Sequence, residues 1–225
     1  MQVKEQLEQA KAGFMAKVPD AAQSNIFLHI KEQQQSGIEF GLKQGMHAPP
    51  FTLSNAMGQP VTLYDELAKG PVVLTFYRGS WCPFCNIQLR AFQQTLPDIQ
   101  KLGATLIAVT PQHPDHSLSQ QEKEQLSFQV LSDPNGLVAD SYKLLFELPG
   151  YLQSTFTDIL KRDLAAFNNS DRWLLPVPAT LIIDQGGKIR SAHVNPDFMQ
   201  RVDPLEILTE LRELLPSSTE QSSVE

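Results

Sequence analysis

Residues 71–85 read PVVLTFYRGSWCPFC, in which a β-rich apolar run leads directly into two cysteines three positions apart. The run from Pro71 to Tyr77 has the continuous apolar character of a buried central strand. From Cys82 onward, apolar residues recur with helical spacing, and Pro83 suits the first helical position, where a missing N–H costs nothing. The pattern therefore predicts a strand, a short turn and a helix that begins at the cysteines.

Cys82 and Cys85 are the only cysteines of the chain. The unpaired amides and the dipole at a helix start favour an anion, which lowers a thiol pKa from its reference near ~8.5. Arg78 adds a positive charge if its side chain points inward. Helical residues three apart lie roughly 5–6 Å from each other, which suits a disulfide. We interpret the pair as a redox-active dithiol, and the alternative is two small apolar core residues.

Composition limits the classes of partner. The chain has 225 residues and a net charge of −7, and we find no basic run of the kind that binds nucleic acid. No window approaches the ~18 apolar residues of a membrane-spanning helix, and residues 1–10 lack the apolar core of a signal peptide. We expect a cytoplasmic protein without a nucleic-acid or membrane partner. Two cysteines without a second ligand pair predict no metal, and no cofactor motif is present.

Residues 3–44 predict two helices separated by Pro19-Asp20, each with an apolar face. Because exposed apolar faces tend to be covered, we expect this segment to pack on its own domain or on a second subunit, and we predict a homodimer through these helices. The chain then divides into an N-terminal helical extension (1–44), one domain (45–215) and a Ser-rich disordered tail (216–225).

The rest of the chain alternates between apolar runs and helical spacing. We predict helices at about 119–126, 137–145, 151–166 and 204–215, and strands at 51–53, 61–63, 104–110, 128–131, 179–184 and 189–194. This order predicts an α/β fold with a mixed central sheet flanked by helices.

The chain also resembles known proteins. Phe76 to Cys85 is similar to the thioredoxin active-site run of strand, Trp-Cys-x-x-Cys and helix. Three further segments resemble the peroxiredoxins: G-x-x-A-P-x-F-x-L at 45–53, L-S-D-P-x-G ending at 136, and P-x-T-x-x-I-D-x-x-G-x-I-R at 178–190. The chain therefore resembles the peroxiredoxin-like subgroup of the alkyl hydroperoxide reductase/thiol-specific antioxidant (AhpC/TSA) family, with a C-x-x-C motif. The resemblance implies a thioredoxin-like fold.

The active-site motif departs from that family in three places. Where peroxiredoxins have Pro-x-x-x-Thr/Ser-x-x-Cys, Arg78 replaces the proline, Cys82 replaces Thr or Ser, and Cys85 takes the position of the peroxide-reactive cysteine. The usual downstream arginine is missing, because Val177-Pro178 occupies that region. By analogy with thioredoxin the nucleophile is Cys82, and by analogy with peroxiredoxins it is Cys85; the sequence leaves both open.

Two further residues are candidates for supporting roles. Pro178 resembles the thioredoxin-fold proline that faces the cysteines and is usually cis. Trp81 is either a lid beside the thiols or a packing residue. Other polar candidates are assigned to loops, turns or a hairpin face: His113, His116, His193, Asp115, Asp133 and Asp184.

The resemblance implies a thiol peroxidase that reduces hydrogen peroxide or organic hydroperoxides and is recharged by a thioredoxin-like donor. Two alternatives stay open. The C-x-x-C motif also suits a protein thiol–disulfide oxidoreductase that works by mixed-disulfide attack. A non-enzymatic redox sensor that uses the helical extension as its interaction surface is the third hypothesis.

Overall fold

A computed structural model describes residues 2–214 of the chain. The first part contains the helices α1 (Val3–Lys17) and α2 (Asp20–Gln35), the strands β1 (Thr52–Asn55) and β2 (Pro60–Thr62), and the short helix α3 (Leu63–Leu67). The middle part contains β3 (Val72–Phe76), α4 (Pro83–Lys101), β4 (Thr105–Thr110), α5 (Pro114–Glu124), β5 (Gln129–Ser132) and α6 (Leu137–Ser141).

The last part is more irregular. It contains β6 (Leu145–Glu147), α7 (Gly150–Ser154), a π-helical turn (Thr155–Ile159), α8 (Leu164–Asn168), β7 (Leu174–Pro176), β8 (Ala179–Ile183), β9 (Ile189–Val194) and α9 (Pro204–Leu214). The disordered tail predicted at 216–225 lies outside the described residues.

Seven strands form one mixed sheet in the order β2-β1-β5-β4-β3-β8-β9. The central strand β3 runs parallel to β4 and antiparallel to β8. Its side chains alternate between the two faces of the sheet, as a strand requires: Val72, Leu74 and Phe76 belong to one buried cluster, and Val73 belongs to the other. The mixed sheet flanked by helices is the predicted fold class, which the structure confirms.

Helix α4 begins at Pro83 and buries the face formed by Leu89, Phe92, Leu96 and Ile99. This face packs with Ile207, Leu208 and Leu211 of α9 in the core on one side of the sheet. The packing holds α4 in place and thereby fixes the position of its first turn, where the cysteines lie.

The N-terminal helices fold back on their own chain. Helix α1 packs on α4, and α2 packs on α7 and the π-helical turn. Ile26 and Ile30 of α2 are buried in a third apolar cluster with Leu152, Phe156 and Leu175. Other residues of the same chain therefore cover the apolar faces on which the homodimer prediction was based. The homodimer stays a prediction, but these faces no longer support it.

Several predicted elements differ in extent. The single helix predicted at 151–166 is wrong, because Lys161 adopts a left-handed conformation (φ 55°) and Asp163 caps a new helix, α8. The helix predicted at 137–145 ends at Ser141, since Lys143 is also left-handed (φ 57°), and the chain continues as β6. Strands β6 and β7, which pair with each other, were not predicted. The strand predicted at 61–63 ends at Thr62, because Leu63 is the first residue of α3.

Within residues 2–214, no helix combines the length and the apolar character needed to cross a membrane.

Candidate active site

The two cysteines lie at the N-terminus of α4 and are both buried. Cys82 is the residue that precedes the helix, and Cys85 lies in its first turn; their exposed fractions are 1% and 0%. The N–H of Cys82 donates to the carbonyl of Gly79 at 3.1 Å, and the Cys82 carbonyl accepts from Asn86 at 3.1 Å. The thiol of Cys85 donates a hydrogen bond to the sulfur of Cys82.

Arg78 points inward and lies beside the cysteines. Its side chain is only 6% exposed. The guanidinium stacks 3.9 Å from the ring centre of Phe198 and 4.8 Å from that of Trp81, and it also forms a hydrogen bond with Cys82. Stacking on aromatic faces is a favourable environment for a buried guanidinium. Arg78 and Trp81, both predicted, are thus brought together with the dithiol.

A second arginine at the site was not predicted. Arg201 lies in the segment between β9 and α9, and its Nη2 donates to the Sγ of Cys85 at 3.3 Å. Val177-Pro178 occupies the place where the family pattern has its arginine. The guanidinium instead comes from a later segment, where Arg201 follows Phe198-Met199-Gln200 with no motif that marks it.

The electrostatic environment separates the two thiols. For Cys82, burial alone would raise the pKa, but the hydrogen bond from Cys85 and the charges of Arg78 and Arg201 outweigh burial and lower the pKa to about 5. The pKa of Cys85 is raised well above its usual range, first by burial and then by the hydrogen bond and the charge of Cys82. The charge of Arg201 acts in the opposite direction and lowers this pKa. A buried site readily holds one negative charge but not two. Cys85 can accept from Arg201 and still donate its own proton to Cys82.

A buried hydrogen-bond network holds the turn that carries Arg78 and Trp81. The Ser80 N–H donates to Gln112 Oε1 at 2.8 Å, and the Ser80 carbonyl accepts from Asn86 Nδ2 at 2.8 Å. Gln120 links the two partners, because its Nε2 donates to Asn86 and its Oε1 accepts from Gln112. The Tyr77 hydroxyl donates to the same Gln120 oxygen at 2.7 Å. The turn before the cysteines is thus fixed from both sides.

Gly79 is required in this turn. Its φ of 145° is a conformation that side-chain-bearing residues rarely adopt, and a Cβ there would lie 2.5 Å from the indole nitrogen of Trp81. A glycine at this position lets Trp81 close over the backbone beside Arg78.

Pro178 lies directly before β8 and lines two cavities. One, of about 420 Å³, is also lined by Gln88 and Arg201, and the other is also lined by Arg78. Every peptide bond within the described residues is trans, so the prediction of a cis bond before Pro178 is wrong. Trans is the default for an X-Pro bond, and here the Val177 N–H donates to the Leu144 carbonyl at 2.8 Å in that conformation.

The remaining polar candidates have structural partners. His116 stacks on Phe167, the His113 side chain caps α5 by accepting from the Asp115 N–H, and Asp133 accepts from the Ala139 N–H. Among the described residues, the ligand atoms of His193, Glu206 and Glu210 lie within 4.8 Å of one another and could hold a metal ion. His193 and Glu210 already bond to each other and to Ser191, and we assign no metal to this group.

Comparison with known proteins places this site in a family. The AhpC/TSA family matches residues 44–192, which include both cysteines and six of the seven strands of the main sheet in full. The chain belongs to the AhpC/TSA family. The family resemblance drawn from the sequence is thereby confirmed. Arg201 and helices α1 and α2 lie outside the AhpC/TSA match.

Among curated AhpC/TSA relatives, the chloroplastic peroxiredoxin Q of Sedum lineare is 30% identical over 120 residues, which are 53% of this chain and 64% of that protein. A putative peroxiredoxin bcp of Haemophilus influenzae is 32% identical over 101 residues, 45% of this chain and 64% of its own. The match thus covers less than two thirds of both relatives. Peroxiredoxin Bcp of Escherichia coli is 26% identical over 157 residues, 70% of this chain and 87% of that protein.

Solved structures share the fold. Peroxidoxin BcpB from Mycobacterium tuberculosis aligns with a TM-score of 0.63 at 22% identity and covers 78% of this chain and 99% of its own. A peroxiredoxin-like protein from Aquifex aeolicus aligns with a TM-score of 0.61 at 16% identity, over 79% and 91% of the two chains. The thioredoxin-like fold expected of an AhpC/TSA protein is therefore confirmed.

Proposed function

We propose that the chain is a thiol-dependent peroxidase that reduces hydroperoxides through a Cys82/Cys85 dithiol–disulfide cycle. The observation that carries the proposal is the buried Cys82 thiol, whose pKa is lowered to about 5 by the Cys85 hydrogen bond and by Arg78 and Arg201, against the opposing effect of burial. A thiol with such a pKa is almost entirely thiolate at neutral pH, and the thiolate is the reactive form.

In the first step, the Cys82 thiolate attacks the terminal oxygen of the hydroperoxide. The sulfur–oxygen bond forms as the oxygen–oxygen bond breaks, and the leaving alkoxide or hydroxide takes a proton to become an alcohol or water. Cys82 becomes a sulfenic acid. Arg78, which forms a hydrogen bond with Cys82, can stabilise the negative charge that develops on the peroxide oxygens.

In the second step, Cys85 resolves the sulfenic acid. The Cys85 sulfur displaces the hydroxyl from Cys82, water leaves with the Cys85 proton, and the disulfide forms. Arg201, at 3.3 Å from the Cys85 sulfur, favours the thiolate needed for this attack. The dithiol has then supplied both electrons, and a thioredoxin-like donor returns two electrons by thiol–disulfide exchange.

The burial of both sulfur atoms favours peroxidase activity over the protein thiol–disulfide oxidoreductase hypothesis. A hydroperoxide group is small enough to reach a buried thiolate, whereas mixed-disulfide attack on a protein needs an exposed nucleophile. Because Cys82 and Cys85 are 1% and 0% exposed, recharging by a protein donor requires the start of α4 to open in the oxidised form. In the part of the chain that the structure describes, the helices of the extension pack on their own domain, which does not favour the redox-sensor hypothesis.

A cytoplasmic location and a homodimer stay predictions that this proposal does not need.

The proposal is tested by titrating reduced protein with one equivalent of hydrogen peroxide or cumene hydroperoxide. We expect one equivalent of peroxide consumed, both thiols lost and a chain that runs as a monomer on a non-reducing denaturing gel because its disulfide is intramolecular. Cys82→Ser should consume no peroxide on the same timescale. Wild-type protein that keeps two free thiols, or that forms intermolecular disulfides as its main product, would contradict the proposal.

A further inference from the structure

An open cavity of about 420 Å³ lies on the Arg201 side of the dithiol. It is lined by residues of α4, β8 and β9 and of the segment that leads to α9. Its volume falls within the range of about 300–1,000 Å³ that small-molecule sites occupy. Arg201 connects this cavity to the dithiol, because its Nη2 donates to the Sγ of Cys85 at 3.3 Å.

The charge of the cavity is opposite to that of the whole chain. The chain has a net charge of −7, but the described residues that line the cavity include no Asp or Glu. Arg201 supplies a positive charge. His193, the other titratable residue of the lining, is already bonded through Nε2 to Glu210 at 3.0 Å. The cavity is therefore favourable for an anion.

The dithiol does not compensate all the positive charge beside it. Arg78 and Arg201 both face Cys82, whose pKa is lowered, whereas Cys85 keeps its proton because its pKa is raised. Two guanidinium groups thus lie near one thiolate, and within the described residues neither forms an ion pair with a carboxylate. Since charges inside a protein are usually paired, one negative charge is missing at this site.

Two hydrogen-bond donors of the lining also have no partner. The side chain of Gln88 is only 4% exposed, and its amide forms no hydrogen bond with any residue that the structure describes. Gln88 lies one helical turn after Cys85, on the same side of α4. Arg201 Nε is buried and unpaired as well. Because buried donors are nearly always paired in folded proteins, these two point to a ligand with oxygen acceptors.

We propose that the cavity binds a small organic carboxylate, which accepts from Arg201 and Gln88 and makes the dithiol less reactive. The small side chains of Ala179, Ala192 and Val194 in the lining leave room for a short carbon chain. The charge of Arg201 favours the Cys82 thiolate, and a carboxylate on the same guanidinium offsets that charge. The regulatory part rests on the proposed function, whereas the binding does not.

Binding is tested by titrating glutarate calorimetrically into the reduced full chain at constant ionic strength. We expect saturable binding to wild-type protein, no binding of the uncharged glutaramide, and at least about tenfold weaker glutarate binding to Gln88→Glu, which adds a carboxylate to the cavity. The matched control is Gln94→Glu, which adds the same charge at an exposed position of α4 and should bind as wild type does. Absence of saturable binding to wild type, or equal weakening by both variants, would overturn the proposal.

A second variant covers the case in which Gln88→Glu does not fold. Gln88→Met keeps the length of the side chain but removes the donor, and it should also weaken glutarate binding; wild-type affinity in a folded Gln88→Met would overturn the role of Gln88. Inorganic phosphate is the second probe and should bind more weakly than glutarate. Equal affinities would show a site for anions in general and would overturn the assignment to carboxylates.

The regulatory part is tested by following the ultraviolet absorbance of the thiolate across pH. Saturating glutarate should shift the titration of Cys82 to higher pH by about one unit, and glutaramide should not. Glutarate that binds but leaves the titration unchanged would contradict the regulatory part. The two proposals fail separately, because protein that binds glutarate but reduces no peroxide contradicts the peroxidase, whereas protein that reduces peroxide but binds no glutarate contradicts the carboxylate site.

Discussion

Arg201 donates from Nη2 to the Sγ of Cys85 at 3.3 Å, across a separation of 116 residues. On the other side of the dithiol, Arg78 forms a hydrogen bond with Cys82. The chain thus places one guanidinium beside each of two buried sulfur atoms. Such an arrangement allows one thiolate to exist in a buried site and gives each cysteine a different task.

Replacing Arg201 should raise the pKa of the reactive thiol. In Arg201→Met the charge that favours the Cys82 thiolate is lost, and an opposite charge nearby typically moves a pKa by about one unit or more. The ultraviolet absorbance of the thiolate, followed across pH, measures the change. Arg190→Met is the control, because Arg190 pairs with Asp184 at the surface. Superimposable curves for wild type and Arg201→Met would show that Arg201 has no electrostatic role.

Arg78→Met should raise the pKa of Cys82 further than Arg201→Met does, because Arg78 lies beside Cys82 and has the larger charge effect on it. Peroxide reduction at neutral pH should slow as well, since in the proposed step Arg78 also stabilises the charge that develops on the peroxide oxygens. Arg78→Lys should recover part of the thiolate but not the stacking on Phe198. Stopped-flow peroxide consumption measures the rate, with the exposed Arg172→Met as the control. A wild-type rate in Arg78→Met would contradict its role.

The stability of the reduced protein should depend on pH through Cys82. The folded pKa is about 5, whereas an unfolded cysteine titrates near ~8.5. Between these values the unfolded chain holds a proton that the folded chain has lost, so the free energy of unfolding rises with pH by up to about 1.4 kcal/mol per pH unit. This stabilisation is complete above the unfolded pKa and is lost as pH falls through the folded pKa.

Urea unfolding of wild type and Cys82→Ser, under reducing conditions at pH 6 and pH 8, measures that effect. The free energy of unfolding of wild type minus that of Cys82→Ser should be about 2 to 3 kcal/mol larger at pH 8 than at pH 6, because the two pH values lie two units apart. An equal difference at both pH values would mean that Cys82 is protonated in the folded protein.

The buried network behind the active-site turn should contribute to stability. Gln112→Leu leaves the Ser80 N–H without its partner, and an unsatisfied buried polar group costs about 1 to 3 kcal/mol. Chemical denaturation should show a loss of that size. Gln93→Leu, which removes only exposed hydrogen bonds to Ser127, should cost less. Equal losses of stability in the two variants would show that the buried network contributes no more to stability than the exposed hydrogen bonds do.

Local patterns predicted the part of the site that is contiguous in the sequence. The strand, the short turn and the helix that starts at the cysteines are all encoded within residues 71–85, because each follows from local apolar spacing and from Pro83. Arg201 could not be found this way. It reaches Cys85 because α9 packs against α4, a long-range arrangement that leaves no local signal.

The same limit explains the other errors. The pairing of β6 with β7 joins segments of three residues each, too short for a clear period. The split of the helix predicted at 151–166 depends on a left-handed Lys161, which the apolar spacing does not show. The apolar face of α2 was recognised, but the residues of the same chain that cover it are known only from the fold.

The most direct test of the account is sulfenic-acid trapping in the two single-cysteine variants. Reduced Cys85→Ser and Cys82→Ser are each treated with one equivalent of hydrogen peroxide in the presence of dimedone, and the adduct is located by mass spectrometry over time. The account predicts rapid adduct formation at Cys82 in Cys85→Ser and little or none at Cys85 in Cys82→Ser. Rapid labelling of Cys85 in Cys82→Ser, with Cys82 unlabelled in Cys85→Ser, would contradict it.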